Sequence, residues 1–164
     1  RTNLMKVIDN FLPKNIFEDI KQTFMSDTFP YYYNSKVSAD KERTDHFYFT
    51  HALYNEGEVT SQHYHKVKPI LQKLNINYLR RVKINLYPRD TKLIKHQKHK
   101  DYPESHNGAI YAINTCNGGT YIGKKFVKSI ENRIILFDPS EFHSSTNCTD
   151  EQARFNINFN WKQN

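Results

Sequence analysis

The chain has 164 residues, a formal net charge of +7, and eleven tyrosines and eleven phenylalanines. A chain of this length and aromatic content buries a core of its own, which excludes a disordered tail and predicts one globular domain over residues 1–164. It has neither an apolar run long enough to span a bilayer nor a leader pattern, so we expect a cytoplasmic location. Cys116 and Cys148 form no disulfide framework or repeated Cys-x-x-Cys signature and are interpreted as reduced thiols.

Two amphipathic helices are predicted in the first part of the chain, over residues 13–26 and about 60–74, because apolar residues recur there at near-helical spacing. His63 and His65 are two positions apart on the second helix and are interpreted as surface or cap residues, since their rings point in different directions. Between the helices, the aromatic segment 29–33 is suited either to core packing, which we favour, or to stacking on a proline ring or an unpaired base.

Strands are predicted from about residue 80 onward. Val82, Ile84 and Leu86 alternate with Lys83, Asn85 and Tyr87, so one face is apolar and the other polar. The polar face either lines a pocket, which makes Asn85 and Tyr87 candidates for ligand contact, or faces solvent. The same alternation recurs near the end, where Arg154, Asn156 and Asn158 share a face.

Short turns separate the later strands. Asn107-Gly108, Gly118-Gly119 and Glu131-Asn132 predict hairpin-type turns, and Asp138-Pro139-Ser140 follows the apolar run 134–137. Two leading helices followed by many short antiparallel strands predict an α+β domain that is mainly β.

One constellation carries chemistry: His99-Lys100-Asp101, then His143, then Arg154. In a strand, residues two apart point to the same side, so His99 and Asp101 can reach one ion together. Two imidazoles and one carboxylate form a facial triad for Fe(II) that leaves positions open, and a guanidinium fork can hold a distal carboxylate. A zinc site in a non-catalytic fold would use similar ligands but would leave Arg154 unexplained.

These residues resemble the Fe(II)- and 2-oxoglutarate-dependent dioxygenases, whose pattern is His-x-Asp, a distant His and a following Arg or Lys. The resemblance covers about residues 80–161. It is strongest to the prolyl-hydroxylase-like branch, through Leu86-Tyr87-Pro88 ahead of the motif and residues 109–114 and 117–120 behind it. The chain also resembles small members of that branch encoded by bacteriophages, which would place it in the host cytoplasm.

The resemblance implies a double-stranded β-helix, a jelly-roll core, at 80–161 with residues 1–79 as a helical support region. It implies that His99, Asp101 and His143 bind Fe(II) and act in catalysis, and that Arg154 binds the far carboxylate of 2-oxoglutarate. The implied reaction uses O2, converts 2-oxoglutarate to succinate and CO2, and hydroxylates a substrate C–H bond.

One position departs from the family. Animal relatives have a second tyrosine where this chain has Ala112, so Tyr87 or Tyr111 is expected to replace it in the co-substrate pocket, with Asn85 and Asn156 as further candidate contacts. His96 and His106 flank the metal motif, and we expect roles around the ligands or in a substrate loop for them.

The substrate is predicted less sharply. Residues 80–100 hold eight Lys and Arg against one Asp, which favours an anionic partner such as an acidic protein segment or nucleic acid, or is a solvated basic loop. A protein or peptide hydroxylase acting on proline is the first hypothesis. The alternatives are a nucleic-acid demethylase, which usually has a second arginine where this chain has Asn160, and a non-catalytic metal-containing jelly roll that binds an anionic partner. No membrane partner is expected.

Overall fold

The computed structural model describes residues 5–37 and 46–162. These residues form eleven β-strands, two α-helices (α1 Lys14–Phe24 and α2 Lys68–Lys73) and a 3-10 helix, Gln62–Val67. The strands are β1 Lys6–Ile8, β2 Tyr32–Asn34, β3 Tyr48–Asn55, β4 Glu58–Val59, β5 Leu79–Pro88, β6 Asn107–Ala112, β7 Gly119–Ile122, β8 Lys125–Lys128, β9 Ile134–Phe137, β10 His143–Ser145 and β11 Ala153–Trp161.

Both predicted helices are confirmed, with one change. The second begins as the 3-10 helix and continues as α2, because Pro69 lacks the N–H that would extend an α-helix from the preceding turn. Neither helix, nor any other in the described ranges, is long and apolar enough to cross a membrane.

The strands form two antiparallel sheets. The main sheet has the order β1-β9-β6-β11-β5-β3-β2, with β4 added beside β3, and the smaller sheet has the order β10-β7-β8. Residues 1–79, predicted as a helical support region, therefore also contribute β1 to β4. The strand β3 was not predicted.

The main sheet has an apolar face and a polar face, as the alternation in β5 and β11 predicts. Ile157 of β11 is paired with Ile84 of β5, and both are fully buried in the core that the helices cover. Asn156 is paired with Asn85, so the polar residues of the two strands share the opposite face. That face carries the site described below.

The turn after β9 brings the chain into β10 as predicted, and the carboxylate of Asp138 accepts hydrogen bonds from the N–H (2.9 Å) and hydroxyl (2.7 Å) of Ser140. The predicted turn at Asn107-Gly108 is wrong, because both residues lie in β6. Gly108 is needed there for close packing: a Cβ would lie 2.0 Å from Cγ of Pro139. This contact seats the turn on the main sheet beside β6.

Candidate metal centre and cavity

The predicted ligands His99 and His143 lie side by side on two antiparallel segments. The N–H of His99 donates to the carbonyl of His143 (2.9 Å), and the N–H of His143 donates to the carbonyl of His99 (3.0 Å). Asp101 is held close by, since its N–H donates to the carbonyl of Pro139 (2.9 Å) in the turn before β10. The strand geometry predicted for His-x-Asp is therefore supplied by a short bridge rather than a long strand.

The side chains of these residues converge. Nε2 of His143 is 3.2 Å, and Nε2 of His99 is 3.4 Å, from Oδ1 of Asp101. One nitrogen or oxygen atom from each residue lies within 4.8 Å of the others. The structure thus brings together all three residues that the sequence singled out as a metal-binding triad.

The remaining ring nitrogens decide what this cluster can hold. Nδ1 of His143 is 2.8 Å from the carbonyl of Glu141, and Nδ1 of His99 is 3.3 Å from the carbonyl of Gln97. A carbonyl only accepts, so Nδ1 of each ring carries a proton, and Nε2 of each ring faces the carboxylate of Asp101. Two imidazole nitrogens and one carboxylate oxygen in this arrangement can bind a divalent metal when the metal replaces the protons on Nε2.

Asp101 is oriented by residues on the main sheet. Its second oxygen, Oδ2, accepts hydrogen bonds from the side-chain amides of Asn158 (3.2 Å) and Asn160 (2.9 Å) and lies 3.3 Å from the guanidinium of Arg81. Burial would raise the pKa of Asp101, but the hydrogen bonds from His143 and His99 and the charge of Arg81 outweigh it and hold the pKa far below its usual range. The carboxylate is thus ionised and aimed at the two rings.

Arg154 lies on the same face of the sheet and is 2% exposed. Its Nη1 donates to the carbonyl of Thr146 and its Nη2 to the hydroxyl of Thr120, both at 2.9 Å, while its buried Nε has no partner. Within the described residues no carboxylate is paired with this guanidinium. Burial lowers the pKa of Arg154, which reflects the cost of holding its charge without an anion.

On the polar face Tyr87 is paired with Arg154, and the next pair, Asn85 and Asn156, lies between them and the metal cluster. The guanidinium carbon of Arg154 is 5.4 Å from the centre of the Tyr87 ring. The amide of Asn85 donates to Oδ1 of Asn156 (2.8 Å), and Oδ1 of Asn85 is itself buried without a partner. Tyr87, Asn85, His99 and Asp101 all line one cavity of about 740 Å³.

Tyr111 does not lie at this site, contrary to the expectation that it can replace the missing tyrosine. It is paired with Ile157 on the apolar face, is fully buried, and donates its hydroxyl to Asn132 (2.6 Å). Ala112, which is paired with Asn156, is on the polar face. Adjacent residues of a strand point to opposite faces, so a residue next to Ala112 cannot take its place.

The other histidines surround the centre without joining it. Nε2 of His106 is 3.0 Å from the side-chain amide nitrogen of Asn160, which also donates a hydrogen bond to Asp101. His96 stacks on Tyr87 and pairs with the hydroxyl of Ser145 (2.9 Å), and burial, with the charges of neighbouring groups, lowers its pKa to about 3. His65 is exposed, as predicted, whereas His63 is half-buried against Phe29.

Cys116 and Cys148 are free and buried. The aromatic segment divides: Phe29 and Tyr31 pack in the core, while Tyr32 and Tyr33 are more than 60% exposed. Sequence reasoning missed the role of Asn160, although its place in the alternation Arg154, Asn156, Asn158 put it on the same face.

Comparisons with solved structures show which known proteins share this fold. No protein-family model matches the chain, and no curated protein matches it significantly. Among solved structures, the chain is similar to a prolyl hydroxylase from Trichoplax adhaerens in complex with a hypoxia inducible factor oxygen degradation domain peptide fragment (17% identity, TM-score 0.69, covering 98% of this chain and 84% of that one).

It is also similar to an oxidoreductase of the 2OG-Fe(II) oxygenase family from Burkholderia pseudomallei (10% identity, TM-score 0.69, covering 96% and 84%). A third is a Pseudomonas putida prolyl-4-hydroxylase (12% identity, TM-score 0.62, covering 97% and 92%). The predicted mainly β fold, a jelly-roll core with two N-terminal helices, is confirmed.

Proposed function

We propose that this chain is an Fe(II)- and 2-oxoglutarate-dependent dioxygenase that hydroxylates a C–H bond and converts 2-oxoglutarate to succinate and CO2. The observation that carries the proposal is the pairing of two sites on one sheet face. The potential ligand atoms of His99, His143 and Asp101 lie within 4.8 Å of one another, and the buried guanidinium of Arg154 pairs with no carboxylate among the described residues. A structural zinc site would need the first and not the second.

In this proposal His99, Asp101 and His143 hold the metal, and their neighbours fix how they do so. The carbonyls of Gln97 and Glu141 set the proton on each Nδ1, so both Nε2 atoms are free to ligate. The hydrogen bonds on Oδ2 of Asp101 leave Oδ1 for the metal. Iron(II) bound there would supply the activation of O2, chemistry that no amino-acid side chain performs.

Arg154 is the proposed partner of the far carboxylate of 2-oxoglutarate. Two of its five N–H donors are used by Thr146 and Thr120, and the buried Nε–H has no acceptor among the described residues. A carboxylate bound through Nε and one Nη would satisfy the guanidinium and remove the penalty of an unpaired buried charge. The pairing would also fix the orientation of the co-substrate between Arg154 and the metal.

Tyr87 is the proposed second contact for 2-oxoglutarate, because Ala112 has no hydroxyl group with which to bind it. Its ring lies beside the guanidinium and it borders the cavity, and Ser145 hydrogen-bonds its hydroxyl. Asn85 adds a buried carbonyl oxygen without a partner. We assign Asn85 and Asn156 to the wall that shapes the co-substrate pocket.

The proposed substrate is a protein or peptide, oxidised at a proline-type residue and approaching through the basic segment 80–100. Support comes from two similar structures described as prolyl hydroxylases, one of them in complex with a peptide. The cavity is lined in part by Phe142, which is 50% exposed, so the cavity reaches solvent there. An extended chain can therefore reach the metal cluster from solvent.

The test is anaerobic addition of Fe(II) and then 2-oxoglutarate to metal-free protein, followed by visible spectroscopy. Wild type should develop a metal-to-ligand charge-transfer band, and Asp101→Ala should not, while circular dichroism shows that both are folded. Succinate formed on admission of O2, with iron and not with zinc, completes the test. A folded wild type that gives neither band nor succinate would refute the proposal in favour of a binding module.

A further inference from the structure

The cavity next to the metal cluster is strongly basic. Asp101 is its only acidic residue among the described residues, and that carboxylate is already engaged by two imidazoles and Arg81. Its cationic residues are Lys36, Arg81, Lys83, Lys98 and Lys100. A positive concave surface whose one described carboxylate is already engaged favours an anionic ligand.

These cations are not equivalent. Arg81 is used structurally, since it pairs with Asp101 and donates to the side chain of Asn160 (3.1 Å). The ammonium groups of Lys98 and Lys100 lie over the Phe142 ring at the rim, 5.0 and 4.7 Å from its centre. Lysines in such positions remain hydrated and act mainly in steering.

Lys83 differs from the rim lysines because it is recessed in the wall. It projects from the polar face of β5 between Arg81 and Asn85, and its only hydrogen bond among the described residues is to the hydroxyl of Tyr48 (3.2 Å). No carboxylate of that part of the chain forms an ion pair with it. Burial and the neighbouring charge of Arg81 lower the pKa of Lys83 to about 8, with the charge of Asp101 opposing.

Packing alone does not explain a lysine at this position. Its ammonium is 5.5 Å from the centre of the Tyr48 ring, but an apolar side chain would pack on that ring without the cost of a desolvated charge. An ammonium has three donors, and Tyr48 takes one. The remaining two have no acceptor among the described residues, and Lys83 lines the cavity.

The position of Lys83 separates it from the proposed co-substrate site. Lys83 is paired across the strands with Asn158, whose amide binds Asp101, so it lies level with the metal cluster. Arg154 is four residues further along β11, which is about 13 Å in an extended strand. Lys83 lines the cavity, whereas Arg154 is buried and is not one of its lining residues, so the two cations are placed to bind different groups.

We propose that the cavity selects a peptide carrying a carboxylate side chain near the residue that is oxidised, and that Lys83 is the specificity-determining residue that binds this carboxylate. The inference rests on the proposed function and names its substrate class. A single recessed ammonium is reached by one side chain, whereas the regularly spaced phosphates of a nucleic acid would be held by the lysines at the rim.

The test uses fluorescent peptides with a central proline and Asp placed in turn at each of the three positions on either side, each with a matched Asn peptide. Binding is measured by anisotropy on metal-free protein and on the anaerobic Fe(II)–2-oxoglutarate complex. At one position the Asp peptide should bind wild type roughly 10- to 100-fold more tightly than its Asn analogue, as for a hydrogen bond to a charged group.

Lys83→Met should abolish this preference, with Lys83→Gln as a second variant should the first fold poorly. Lys83→Glu should prefer the corresponding Lys peptide. The control, Lys125→Met, removes an exposed lysine on β8 and should keep the preference for Asp.

Four results would overturn the inference: equal binding of Asp and Asn peptides at every position, a preference that survives Lys83→Met, a Lys83→Met variant that loses affinity for 2-oxoglutarate instead, or tighter Lys83-dependent binding of a single-stranded oligonucleotide. The charge-transfer band recorded on the same samples separates the two proposals. A band without a preference for Asp refutes this inference alone, and a missing band refutes the proposed function.

Discussion

Replacing Arg154 by methionine should remove selectivity for the distal carboxylate of the co-substrate while the fold persists. Methionine fills a similar buried volume without leaving a charge, and it loses the hydrogen bonds to Thr146 and Thr120. The groups that lose a hydrogen bond are neutral acceptors, so we expect the free energy of unfolding to fall by about 1–3 kcal/mol. The larger effect should be on the affinity for 2-oxoglutarate, because the unpartnered Nε and the remaining Nη donors are those that its distal carboxylate would use.

The size of the effect follows from the burial of the guanidinium. Removing one partner of a buried, hydrogen-bonded charge pair costs about 2–5 kcal/mol, and about 3 kcal/mol corresponds to a roughly 150-fold rise in Kd. The assay is an anaerobic absorbance titration of the Fe(II) protein with 2-oxoglutarate and with 2-oxobutanoate, which keeps the chelating half and lacks the distal carboxylate. Wild type should prefer 2-oxoglutarate by that factor, and Arg154→Met should bind both alike.

A matched control is Arg133→Met, which removes an arginine that pairs with Asp9 away from the cavity. This variant should keep the wild-type ratio of the two dissociation constants. If Arg154→Met also keeps that ratio, the distal carboxylate is bound elsewhere and the assignment of Arg154 is wrong.

Three further predictions concern the support of the site. Asn160→Leu removes a hydrogen bond to Asp101 and should weaken Fe(II) binding, measured by chelator competition, about 10- to 100-fold, whereas unchanged affinity would show that the amide does not orient the ligand. Gly118→Ala places a Cβ 2.0 Å from a backbone carbonyl oxygen and should lower the free energy of unfolding in urea by about 1–3 kcal/mol; wild-type stability would show that the loop yields. The pKa of His96 is about 3 in the folded protein and near 6.5 in the unfolded chain, so stability should fall by up to about 1.4 kcal/mol per unit as pH drops below 6.5. Between pH 7 and pH 5, urea unfolding should show a smaller fall in the free energy of unfolding for His96→Gln than for wild type. The control variant His65→Gln, at an exposed residue, should show the same fall as wild type.

The sequence was most informative where side chains alternate. The alternation correctly placed Tyr87 with Asn85 on β5 and Arg154 with Asn156 on β11, because a strand has only two faces and one of them had to be apolar; the pairing of β5 with β11 then puts all four on one face. It left open whether the polar face met solvent or a cavity. That depends on the smaller sheet and on the turn before β10, which are tertiary features.

The errors have equally specific causes. Asn107-Gly108 has the composition of a turn, but the glycine serves close packing against Pro139 inside a strand. Tyr111 was considered for its chemistry, although its position next to Ala112 already placed it on the other face. Asn160 was weighed only as a missing arginine, and its contact with Asp101 depends on a loop almost sixty positions away in the chain.

The backbone bridge between His99 and His143 means that an ion bound at this site would cross-link two segments that are distant in the sequence. Asp101 and His143 are 42 positions apart, and near His99 two hydrogen bonds hold the segments together. Closing a loop of that size costs conformational entropy. An ion that takes ligands from both segments would bind only the folded chain, and its binding free energy would offset part of this cost. Each tenfold excess of ion over its Kd would then add about 1.4 kcal/mol of stability, so in the cell the amount of folded protein would respond to the supply of iron.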